Sequence, residues 1–93
     1  MKVKVSNMTS PRSGREVANQ FIIKIGDNLT VFQSYESVIC HELRGNTGHI
    51  LLDKDKWEYS KTTSKYLYQF LGMNKSEILE GIKSGKIILT NLN

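Results

Sequence analysis

Gln20-Phe21-Ile22-Ile23-Lys24-Ile25-Gly26-Asp27-Asn28-Leu29-Thr30-Val31-Phe32-Gln33-Ser34-Tyr35 reads as a β-hairpin, and it sets the fold class of this 93-residue chain. Phe21, Ile23 and Ile25 alternate onto one face, and Leu29 and Val31 continue that face beyond the turn. Gly26-Asp27-Asn28 supplies the turn, because glycine and asparagine tolerate the positive φ that tight hairpins require.

Towards the N-terminus, Lys2-Val3-Lys4-Val5 alternates at period two, as a strand with one wet face does. Its lysines suit a sheet edge, where they discourage unwanted pairing. Residues 6–14 are dense in turn formers, and Pro11 lacks an N–H, so a basic loop over 6–15 is expected after this first edge strand.

Towards the C-terminus, Ser37–Leu43 is too short for periodicity to separate a strand from a helix. Gly45-Asn46-Thr47-Gly48 predicts a second turn, and His49-Ile50-Leu51-Leu52 a buried strand. A helix is expected from Ser60–Thr63 to Leu71, stopping before Gly72. It would turn Thr63, Tyr66, Leu67, Phe70 and Leu71 inward and Lys61, Lys65, Tyr68 and Gln69 outward. A second helix has Asn74 and Glu77 spaced as a capping box, Ile78, Leu79 and Ile82 as its buried stripe, and Gly85 as its stop. Residues 86–89 return as a short buried strand. The plan is α+β: an antiparallel sheet with one face covered by a helical pair in the C-terminal half.

Ninety-three residues make one domain, and 39% apolar with 24% charged residues fits a globular chain. Apolar runs stop at three residues, as in Phe21-Ile22-Ile23, so no segment spans a bilayer and no membrane role is expected. The alternating start is no signal peptide, and the lone Cys40 excludes an intramolecular disulfide, so a reducing cytoplasm is the expected setting. Charge is uneven. Residues 1–24 carry Lys2, Lys4, Arg12, Arg15 and Lys24 against Glu16, so the whole formal net +4 resides there. Clustered positive charge concentrates polyanions such as nucleic acids near a surface.

Four segments resemble a known family: residues 10–21, Phe32-Gln33-Ser34-Tyr35, residues 52–67 around Trp57-Glu58-Tyr59-Ser60-Lys61, and Ile82-Lys83-Ser84-Gly85-Lys86. The chain resembles small proteins encoded by bacteriophages and other mobile elements, a family with no assigned activity. The resemblance implies a mobile-element origin and a bacterial host cytoplasm. It also implies a partner in host machinery, with anti-CRISPR inhibition of a Cas effector as the most concrete case. It carries no catalytic residues across.

Candidate sites follow from residue chemistry. Arg12 and Arg15, with Ser10, Ser13 and backbone N–H groups, are the donor types that grip phosphate oxygens, although a solvated turn uses the same residues. Lys61, Lys65 and Tyr68 set cations beside a ring, suited to a nucleic-acid backbone, to a protein interface, or simply to solubility. Trp57 and Tyr59 lie in a charged connector, where a tryptophan is either a plug closing the core or an anchor for a partner. Cys40, His41, His49 and Asp53 have metal-ligating chemistry, but adjacent strand residues point to opposite faces, so no metal or other cofactor is expected. No activated nucleophile and base are evident, so no enzyme is expected. The expected function is binding and inhibition of a host protein or nucleoprotein through Trp57, Tyr59 and Tyr68, steered by Arg12, Arg15, Lys61 and Lys65. Direct, sequence-independent nucleic-acid binding through the same cations with Lys2 and Lys4 is the alternative. Oligomeric state is open.

Overall fold

The computed structural model describes residues 2–45 and 48–93. It orders the chain as β1 (Val3–Thr9), β2 (Glu16–Ile25), β3 (Leu29–Ser34), β4 (Ser37–Leu43), β5 (Ile50–Asp53), α1 (Lys61–Leu71), α2 (Lys75–Ser84) and β6 (Ile87–Thr90). The strands form one six-stranded sheet in the order β1-β2-β3-β4-β5-β6, giving the expected α+β architecture. Four of its pairings are antiparallel. The last, β5 with β6, is parallel, because two helices intervene and return the chain in the same direction.

The hairpin forms as read, with Ile25 paired to Leu29 across a turn in which Gly26 has φ 62°. Ser37–Leu43 resolves as a strand with a bulge opposite Phe32 and Gln33, which lets both Ile39 and Cys40 reach the core. Asn46 and Thr47 of the expected second turn lie outside the described residues.

Three expectations are corrected. The first strand does not end at Val5: Ser6 and Asn7 pair with Ile22 and Phe21, and Met8 is buried in the core. Asn7 Nδ2 donates to Val17 O at 3.0 Å, spanning a β2 irregularity where Asn19 takes φ 66°. The loop therefore shrinks to residues 10–15. Leu79 is exposed rather than buried, because α2 approaches β6 through Gly81, which turns Ile78 and Gly81 inward. In the last strand only Ile87 is buried, since β6 is the second sheet edge and leaves Ile88 and Leu89 open.

Both helices lie on one side of the sheet. The register places Ile22, Phe32, Cys40 and Leu52 in one cross-strand row on that side, beside the row that ends in Ile50 and Ile87. Thr63 Oγ1 meets Ser34 Oγ at 2.9 Å, and Phe70 stacks on Phe32 with ring centroids 5.7 Å apart. Leu67, Ile78 and Trp57 complete this core. Ser60 caps α1 by accepting from Thr63 N, and Gly72 ends it with φ 66°. The Asn74–Glu77 capping box of α2 is present in both directions. No helix among the described residues is long and apolar enough to cross a membrane.

Candidate functional site

Helix α1 buries Thr63, Tyr66 and Leu67 against the sheet, so the residues one turn apart on its other side face outward. Lys61, Lys65 and Gln69 make that outer line, all exposed, spanning about 12 Å at 1.5 Å per residue. At its far end Gln69 Nε2 donates to Thr9 O at 2.9 Å. Thr9 immediately precedes the basic loop, so this contact places the start of that loop beside the C-terminal end of α1.

The loop is tightly built. Ser10 N–H donates to Arg15 O and Gly14 N–H to Ser10 O, both at 2.8 Å. The Ser10 and Ser13 hydroxyls accept from the backbone N–H of Arg12 and Arg15. The backbone N–H groups of Ser10, Arg12, Gly14 and Arg15, expected as phosphate donors, are therefore spent inside the loop. The two guanidiniums remain exposed, and neither is ion-paired among the described residues.

At the N-terminal end of α1, Tyr59, Lys61, Lys65 and Tyr68 share an open hollow of about 570 Å³ with Glu58 and Lys75. Lys75 Nζ lies 3.5 Å from Glu58 Oε2, which leaves Lys61 and Lys65 as its uncompensated charges. Tyr59 is 49% exposed, with Lys56 Nζ 5.3 Å from its ring centroid. Tyr68, expected outside, is half-buried and packs on the core with only part of its ring on the hollow. A second hollow of about 450 Å³, between α2 and β5–β6, carries Glu77 and Glu80 against Lys86, a net negative lining that suits a phosphate less well.

Trp57 is 6% exposed and packs in the core, so its burial supports the plug and removes it from any surface. Lys4 and Lys24 pair across β1 and β2 at the end of the sheet away from Thr9, apart from the α1 line. Cys40 and His41 point to opposite faces, pairing with Leu52 and Leu51 respectively. Burial, with Glu42 adding to it, pushes the Cys40 thiol far above its ordinary range and so disfavours the thiolate form. Burial also lowers the His41 pKa. Among the described residues no three of His, Cys, Asp and Glu gather where they could hold a metal ion.

Two features lay outside the sequence reading. The Gln69–Thr9 contact joins residues 60 apart, and only the extension of β1 brings them together. The amide of Gln20 is fully buried with neither its nitrogen nor its oxygen partnered among the described residues. It stands on the helix side, opposite the Phe21, Ile23 and Ile25 face read from the sequence, and nothing in the sequence announced its burial.

No curated protein and no solved structure matches this chain. One family model matches residues 3–88, nearly its whole length, and the chain belongs to that family, DUF8033, a family of unknown function.

Proposed function

We propose that this chain is a binding module that holds a polyanion, the phosphate backbone of a nucleic acid, along the outer face of α1 and the adjoining basic loop. The observation that carries this reading is the Gln69–Thr9 hydrogen bond, which ties the end of the Lys61–Lys65–Gln69 line to the start of the loop that carries Arg12 and Arg15. Helix electrostatics supports it. The first turn of α1 contains no acidic residue and opens on Lys61, a cation at the positive end of the helix dipole. That placement opposes helix stability and is relieved by a bound anion. Tyr59 offers a ring beside the track on which a base can stack.

The test is binding of the purified chain to labelled single-stranded and duplex DNA and RNA across a salt series. Arg12→Ala with Arg15→Ala, and separately Lys61→Ala with Lys65→Ala, should each weaken binding regardless of sequence. Each pair should flatten the slope of log K against log salt by roughly 1.4 for single strands or 1.8 for duplex. Wild-type binding that is absent at low salt, or slopes unchanged in both double variants, refutes the reading.

Inhibition of a host protein or nucleoprotein in a bacterial cytoplasm, a CRISPR effector included, is the second reading. Of its three aromatic anchors only Tyr59 is well exposed, since Trp57 is buried and Tyr68 half-buried. Retention of such a partner by wild type but not by Tyr59→Ala would favour it over direct nucleic-acid binding.

A further inference from the structure

The hollow at the start of α1 has two features that a row of phosphate contacts does not need, its size and its aromatic walls. Its volume of about 570 Å³ lies within the ~300–1,000 Å³ that takes a small organic ligand. A lone phosphate group would leave most of that space to water. The hollow between α2 and β5–β6 has a net negative lining and no aromatic wall. A smaller one, about 220 Å³ among Lys24, Asp27, Thr30 and Arg44, carries cations but again no ring. Of these three hollows, only the one at α1 joins cations to rings.

Helical period divides its α1 wall into two stripes. Lys61 and Lys65, one turn apart, form the outer stripe, and Ser64 and Tyr68 form the one beside it. Glu58 is taken up by Lys75, so the outer stripe keeps its charge for a ligand. The connector before α1 adds the exposed ring of Tyr59. That ring stands on firm support. Asp53 O accepts from the N–H groups of Lys56 and Trp57, the Trp57 indole is buried in the core, and Ser60 caps the helix. Lys56 Nζ, near the Tyr59 ring, steadies it without lining the hollow. A ring placed in advance lowers the ordering cost of binding.

We propose that this hollow is a nucleotide subsite, taking one unpaired base beside Tyr59 and Tyr68 with its flanking phosphates on Lys61 and Lys65. The proposal rests on the nucleic-acid reading above and narrows its substrate class to single strands.

A base within a duplex has both faces covered by its neighbours, so it reaches a protein ring only after leaving the stack. A single strand offers base faces without that cost, and every base has a π-face, so the subsite tolerates any sequence. The Ser64 hydroxyl, half-buried beside Tyr68, can donate to or accept from a base edge. An acidic peptide would satisfy the lysines, but its carboxylates present no flat face to the two tyrosines.

The test compares binding of the full chain to a labelled thymidine oligomer, to an abasic oligomer of the same length, and to a duplex. The abasic strand keeps the phosphates and lacks the bases. Wild type should hold the base-bearing strand roughly fivefold to a hundredfold more tightly than the abasic one, the range of a single base–aromatic stack. Tyr59→Ala, at an exposed position that should leave the circular dichroism intact, should erase that difference, and Tyr59→Phe should keep it. The slope of log K against log salt should not change in Tyr59→Ala, since no charge is lost. Equal, salt-steep binding of base-bearing and abasic strands overturns the subsite and leaves the phosphate reading standing. Absence of binding to all three at low salt overturns both. A preference for the duplex, a base preference that survives Tyr59→Ala, or equally tight binding of a polyglutamate peptide each overturns the proposal as well.

Discussion

Replacing Trp57 with alanine separates a core role from a contact role more cleanly than any other single change. The indole is 6% exposed among core residues that include Met8, Phe32, Leu52 and Leu67. Its backbone N–H is fixed by Asp53 O at 3.1 Å, so the side chain has little freedom to swing outward. A buried aromatic side chain removes ~150–250 Å² from water, and at ~25 cal/mol per Å² that gives about 4–6 kcal/mol as an upper bound. Measured truncations of buried Phe and Trp cluster at about 3–5 kcal/mol. At roughly 0.05–0.15 kcal/mol per residue a chain of this length has only about 5–14 kcal/mol in total. The variant should therefore lose a large part of its stability. Urea unfolding followed by far-UV circular dichroism measures this without the tryptophan signal, and Trp57→Phe should recover more than half of the loss. A Trp57→Ala protein within ~1 kcal/mol of wild type that had lost nucleic-acid binding would refute the core assignment and return Trp57 to the surface.

Three further perturbations probe the same core. Gly81→Ala would place a Cβ 2.6 Å from Ile87 Cδ1 and 2.8 Å from Cγ1, and Ile87 is itself buried, so overpacking of ~1–3 kcal/mol should cancel or exceed the ~1 kcal/mol gained in helix propensity. A stabilised Gly81→Ala in urea unfolding would contradict that packing. Gln20→Met should raise stability by about 1–2 kcal/mol, because it removes a buried amide with no partner among the described residues while nearly conserving volume. A loss of similar size would mean that the amide holds something in place, such as an ordered water. For Asp53, burial pushes the carboxyl up, but donors from Leu92, Asn93, Asp55 and Lys56 outweigh it and hold the pKa below its ordinary value. Its stabilisation is thus present above the unfolded value of ~3.9 and lost as pH falls through the lower folded value, so Asp53→Asn should narrow its deficit to wild type on acidification from pH 5 to 2.

Local chemistry made most elements readable. Gly26-Asp27-Asn28 marked the hairpin, Ser60 and Gly72 bounded α1, and the Asn74–Glu77 pair marked α2, each because a specific backbone group needs a partner or a positive φ. The misreadings come from tertiary pairing. Ser6 and Asn7 look like loop residues, yet Ile22 and Phe21 recruit them into β1, since pairing outweighs weak strand propensity. The strand or helix choice at Ser37–Leu43 was settled by a bulge opposite β3, which no local signal announces. Within the candidate site, the exposure of Lys61 and Lys65 followed from helical period alone. The approach of the basic loop's first end to α1 did not, because it depends on Gln69 meeting the end of a longer β1. Tyr68 went astray because the half-burial of a ring beside a hollow is decided by neighbours, not by its angle on the helix.

Alternation in the sequence specifies that a sheet has two faces, but the number of helices decides how many are covered. This chain has two, and both are used on the side of Phe32, Cys40 and Leu52. Val5, Ile23, Leu51 and Ile88 were therefore patterned as core residues without a covering layer from their own chain. The division also separates the two surfaces. The α1 line lies on the helix side, so a polyanion bound along it does not touch the open face of the sheet.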